Sequence, residues 1–158
     1  MNEFVSEVRA IPHSRERVFA LLSDMSNLAR IKDALDNNAK LKIDGLTCDA
    51  DSCNLTVEPV GRIGLRIVER TAGHTVKFEA INAPVPLNLW IQLKEADHDD
   101  TRLRLTLRTE LNPFLLSMLA KRLQEGLDMI AGRLADLPYA DFPAPDLTNT
   151  EKLHEHNA

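Results

Sequence analysis

The sequence contains no block of consecutive Lys and Arg, and its formal net charge is −5 over 158 residues. An electrostatic hold on nucleic acid or on an anionic bilayer is therefore not expected. The start, MNEFVSEV, lacks the basic region and apolar stretch of a secretory signal, so the expected location is the cytoplasm. The longest helical pattern is interrupted by Lys121, Arg122, Glu125, Asp128 and Arg133, and no integral membrane segment is expected. There is also no nucleophile–base pair and no glycine-rich phosphate loop. His13, His74 and His98 fall at turns or before a helix cap, while His154 and His156 lie in the tail without a third ligand nearby. The stretch DADSCN lacks the glycine and distal glutamate of a calcium loop. Neither metal nor cofactor is expected. Cysteine is scarce: Cys48 and Cys53 flank one loop, close enough across a hairpin for a disulfide. In a reducing compartment the reading is two thiols packed as small hydrophobes.

What is present is an ordinary single-domain composition, 44% hydrophobic and 27% charged. Residues 3–11, EFVSEVRAI, alternate as one strand with Phe4, Ser6, Val8 and Ala10 on one face. Ser14 then caps a helix, SRERVFALLSDM, and Ser26 a second short one, SNLARIKDAL. From residue 39 to 111 the period changes to two, with a bulge expected at Gly45 and a hairpin at Ala72-Gly73. Placing Thr71 opposite His74 sets Arg66 against Glu79 and Ile67 against Phe78. Leu103, Leu105 and Leu107 alternate with Arg102, Arg104, Thr106 and Arg108, so one face of that strand is wet.

The last element is a helix from Pro113, capped by Asn112 and stopped by Pro138. Leu116, Leu119, Leu123, Leu127, Ile130, Leu134 and Leu137 form its apolar stripe. At 1.5 Å per residue it is roughly 37 Å long, similar to the roughly 33 Å of a ten-residue strand. The expected class is α+β: a curved antiparallel sheet of about seven strands wrapped around a long C-terminal helix, with two short helices after the first strand. Residues 1–139 form the domain, and 140–158 read as a polar, flexible tail.

This order, with IPHSRERVFALLSDMSNLARI at the front and LQEGLDMIAGRLADL at the end, resembles the START-like or SRPBCC superfamily. The resemblance covers residues 3–137. It is nearest to small bacterial members described as polyketide cyclase/dehydrase or lipid-transport-like. Many relatives carry a tryptophan where this chain has Ile31. The resemblance implies a helix-grip fold with a cavity between sheet and long helix.

The expected partner is a small hydrophobic or amphipathic molecule in that cavity. Leu65, Ile67, Phe78, Leu105, Leu123 and Leu127 are the candidate walls, with Asn82 as a polar contact, Met118 as an adaptable lining and Gly126 leaving room. Ser6 is a further inward polar group. The rival reading is a polyketide cyclase/dehydratase-like enzyme. Its general acid would be Glu69, set on the face of Leu65, Ile67 and Phe78. A third reading is an interaction module or homodimer using Trp90, which alternation sends outward beside Arg104 and Arg108. A twist of the sheet would instead carry Trp90 into the cavity.

Overall fold

The computed structural model describes residues 2–27, 43–57, 61–83 and 85–141. Eight strands form one antiparallel sheet: β1 (Asn2–Val5), β2 (Arg9–Ile11), β3 (Ile43–Cys48), β4 (Ser52–Val57), β5 (Gly61–Thr71), β6 (Thr75–Ile81), β7 (Leu87–Asp97) and β8 (Asp100–Thr109). Their order is β1-β8-β7-β6-β5-β4-β3, with β2 also paired to β8. Two α-helices are described, α1 (Arg15–Leu22) and α2 (Pro113–Ala135), followed by a 3₁₀ turn at Tyr139–Asp141. The second short helix expected after Ser26 and the tail from residue 142 lie outside the described residues.

Both helix starts form as their capping residues require. Ser14 Oγ accepts from the Arg17 amide at 3.2 Å, and Asn112 Oδ1 accepts from the Leu115 amide at 2.8 Å. Pro113 occupies the first turn of α2, where its missing N–H costs nothing. The helix runs closest to β1, β2 and β8. Its polar flank is fastened there: Gln124 Nε2 donates to the Val5 carbonyl at 2.8 Å, and Asp128 Oδ1 accepts from the Glu7 amide at 2.8 Å.

Those two bonds meet the chain where the expected first strand breaks. Residues 6–8 leave the ladder, so one expected strand becomes two, and eight strands are described where about seven were expected. The break exchanges faces. Phe4 and Ser6 are buried, but Val8 and Ala10 are exposed and Ile11 points in. Ser6 spends its hydroxyl on the backbone, accepting from the Leu105 amide at 2.9 Å and donating to the Glu7 carbonyl at 2.9 Å.

A second exchange of faces occurs in β5. The β5–β6 turn has three residues, Ala72, Gly73 and His74, with Gly73 at φ 73°, and Thr71 pairs with Thr75 instead of His74. The expected pairs Arg66–Glu79 and Ile67–Phe78 are present, so a bulge between Ile67 and Glu69 absorbs the difference. Glu69 is thereby set opposite Lys77, and Arg70 opposite the buried Val76. Arg70 reaches inward over the rim of the sheet. Its Nε donates to the Ser23 carbonyl at the end of α1 at 2.9 Å, and Nη2 meets the Ala50 carbonyl and Asp51.

The β3–β4 hairpin is drawn into the same corner. A register shift between Asp44 and Thr47 brackets the expected Gly45 bulge. Cys48 and Cys53 are paired opposite each other and joined by a disulfide, which corrects the expectation of two free thiols. The adjacent turn is closed by Asp49, whose carboxylate accepts from the Asp51 and Ser52 amides and the Ser52 hydroxyl. The two backbone bonds hold its pKa below the ordinary carboxylate value.

The core is dense where α1, the 3₁₀ turn and the sheet meet. Val18, Val76, Leu103 and Leu105 are fully enclosed, and Leu127, Ala131 and Leu134 of α2 close over them. Tyr139 is buried there, donating its hydroxyl to the Leu134 carbonyl at 2.6 Å and lying 5.5 Å from the His13 ring. The opposite end of α2 is bare: Phe114 is 71% and Met118 57% exposed.

Two outcomes follow from this packing. Leu103→Ala should cost about 2–5 kcal/mol in denaturant unfolding, while Met118→Ala should cost under about 0.5 kcal/mol. Equal effects would place the core elsewhere. Burial raises the pKa of Tyr139 well above the unfolded value of 10.0. A raised folded pKa means the contribution is whole below the unfolded value and is lost as pH climbs toward the folded one. Thermal melts of the wild type should therefore decline above about pH 10. Tyr139→Phe should start about 1 kcal/mol lower for its lost hydrogen bond and decline less steeply.

Candidate functional site

The inner face of the sheet changes character along its strands. At the α1 end the cross-strand pairs Ile91–Leu105 and Leu93–Leu103 are fully buried. Two residues further along the same strands, the pair Leu89–Leu107 is only half-buried. Next door, Ile67 and Phe78 are buried, whereas their inward neighbours Leu65 and Ala80 are half-buried. Leu116 and Leu123, in the N-terminal half of α2, are half-buried as well. These half-buried residues make one apolar stretch of the inner face, on β5 to β8 and the N-terminal half of α2, here called the trough.

Thr109 continues the inward row Leu103, Leu105, Leu107. It is 2% exposed, and its hydroxyl has no hydrogen-bond partner among the described residues. A buried hydroxyl without a partner costs about 1–3 kcal/mol, so its position at the trough end needs a reason. Alternation alone marks Thr109 as inward. Its missing partner could be seen only once Asn2 and Leu87 were placed on either side of it.

The expected wall residues divide between two environments. Leu65 and Leu123 lie at the trough, while Ile67, Phe78, Leu105 and Leu127 belong to the closed core beside it. Gly126 is half-buried, and a Cβ there would meet nothing within 4 Å, so no strand packs against it. Three candidates are displaced. Met118 lies on the exposed flank of α2. Asn82 is exposed just past the end of β6 with φ 62°, a left-handed position that turns it off the strand alternation. Glu69 is exposed on the outer face, because the β5 bulge reverses its parity.

Trp90 points outward, half-buried, with Lys77 Nζ and Arg108 Cζ each 5.2 Å from a ring centroid. These cation–π contacts come from the strands on either side of β7, and Arg108 is anchored in turn by Glu3 at 3.0 Å. The alternative placement of Trp90 in the cavity is not adopted. Among the described residues no cluster of His, Cys, Asp or Glu is arranged to hold a metal, and no helix is long and apolar enough to cross a membrane.

No protein-family model matches the sequence, nor does any curated protein. Solved structures do match. Norcoclaurine synthase from Thalictrum flavum, solved with dopamine and hydroxybenzaldehyde, aligns over 85% of each chain with TM-score 0.65 and 14% identity. A START superfamily protein from Mycobacterium smegmatis aligns over 84% of this chain and 96% of its own, with TM-score 0.57 and 13% identity. A protein from Thermus thermophilus aligns over 85% and 95%, with TM-score 0.58 and 19% identity. With the curved antiparallel sheet and the long C-terminal helix already in place, these likenesses show that the chain has the START-like helix-grip fold.

Proposed function

We propose that the protein binds an apolar or amphipathic small molecule in the trough between the sheet and the first half of α2. The observation that carries this reading is the half-buried inward row of Leu65, Leu89, Leu107, Leu116 and Leu123, continuous with a closed core. Completing the burial of four such side chains would contribute about 3–6 kcal/mol before the cost of ordering the ligand. Thr109 supplies one polar contact, a hydroxyl able to meet an oxygen on an otherwise apolar molecule. Solved proteins of the same fold include one holding small aromatic molecules, which supports the choice of ligand size.

The enzyme reading loses its acid, since Glu69 stands on the outer face away from the trough. Binding is therefore preferred to cyclase or dehydratase chemistry. The cytoplasmic placement rests on the sequence reading, and the Cys48–Cys53 bridge weighs against it, because disulfides persist in oxidising compartments.

A fluorescent fatty-acid probe should gain signal on binding and be displaced by non-fluorescent hydrophobes. Leu107→Trp should fill the trough and weaken probe binding by at least about tenfold while the protein still melts cooperatively. Full affinity in a folded Leu107→Trp variant would place the site elsewhere. Thr109→Val should stabilise the free protein by about 1 kcal/mol, because it removes a buried hydroxyl that lacks a partner. It should also narrow the preference for a carboxylated or hydroxylated probe over its plain hydrocarbon counterpart. An unchanged preference would leave Thr109 without a role in recognition.

A further inference from the structure

The outer face of the sheet carries a second concavity, separate from the trough. An open groove of about 580 Å³ runs over β7 and β8, lined by His74, Lys94, Arg102 and Arg104 among others. Through Gln92 and Arg104 it continues into a smaller one of about 290 Å³ beside Trp90. Lys94 and Arg102 are directly opposite each other in the β7–β8 ladder, an arrangement of like charges that destabilises a sheet. One acid relieves part of it. Asp100 is paired with Arg102 at 2.8 Å, whereas among the described residues Arg104 donates to the neutral Gln92 side chain at 2.9 Å and Lys94 has no acidic partner. This cationic cluster stands on a chain whose net charge is −5, so it does not follow from bulk composition.

We propose that this groove is a binding site for a compact, multiply charged oxyanion of the pyrophosphate type. Arg102 and Arg104 are two residues apart on one face, about 7 Å along the strand, so their planar forks can meet neighbouring phosphoryl groups. Lys94 adds a point charge from the facing strand. Arg15 Nη1 lies 3.4 Å from His74 Nδ1. Arginine can only donate there, so a neutral His74 carries its proton on Nε2 and serves as a further donor. The net negative charge disfavours a long polyanion such as nucleic acid. Stacking of a planar base is also disfavoured, because the Trp90 ring is already held by Lys77 and Arg108.

The test is calorimetric titration of the full chain with inorganic pyrophosphate at fixed ionic strength, with thermal melts alongside. Saturable binding is expected in the wild type, together with a rise in melting temperature. Lys94→Gln and Arg104→Gln should each weaken it at least about tenfold. Lys94→Gln should also melt higher than the wild type when no anion is present, since it removes the like-charge pair. Arg66→Gln, on the same face but paired with Glu79, should bind as the wild type does. Pyrophosphate should not displace the fatty-acid probe from the trough. Absence of saturable binding, or an equal loss in Arg66→Gln, would overturn the proposal.

Discussion

One extra residue in a β-strand exchanges its two faces, and this domain depends on doing so at two places. The break at residues 6–8 frees backbone groups that Gln124 and Asp128 of α2 then satisfy, which fastens the long helix to the β1–β2–β8 edge of the sheet. The bulge before Glu69 sends that carboxylate outward and brings Arg70 over the rim, where it joins the end of α1 to the β3–β4 turn. Neither contact is possible while the alternation runs uninterrupted. The attachment of both helices is thus a consequence of where the period of two is broken.

With the helices so placed, the inner face is unevenly covered. α1, the 3₁₀ turn and the C-terminal half of α2 meet over Val76, Leu103 and Leu105 and exclude water there. The N-terminal half of α2 carries exposed Phe114 and Met118 and leaves Leu116 and Leu123 half-covered. A fully packed interior would gain more stability, by about 25 cal/mol for each Å² of apolar surface removed from water. The uncovered leucines are therefore a cost that a ligand can recover, and the lone Thr109 hydroxyl is a second cost of the same kind. The outer face repeats this logic in charge: the opposed Lys94 and Arg102 are a cost that the proposed anion would offset.

Much of this fold was legible in the residues because it rests on periodicity and capping. Ser14 and Asn112 cap as their side chains require, the pairs Arg66–Glu79 and Ile67–Phe78 form as opposite charges and matched apolar groups dictate, and Trp90 falls on the wet face with its arginine neighbour. The candidate site was less legible. Uninterrupted alternation carries Glu69 and Asn82 inward through a bulge and past a strand end, and a bulge that only compensates for a three-residue turn leaves no independent mark in the sequence. Met118 belongs to a helix whose buried stripe is narrower than its apolar content. A reducing compartment argues against the bridge between Cys48 and Cys53, whereas hairpin geometry alone favours it. Arg70 gives no signal, and alternation marks Thr109 only as inward, because the roles of both depend on neighbours distant in sequence.

On the proposed reading, the inner face is closed at one end and open to an apolar guest at the other. Methyl-resolved NMR under xenon pressure tests it most directly, because xenon enters apolar space that lacks a protein partner. Saturable shifts are expected at the methyls of Leu65, Leu89 and Leu107, with Leu93 and Leu103 unmoved. Equal responses at both ends, or none at Leu89 and Leu107, would contradict it.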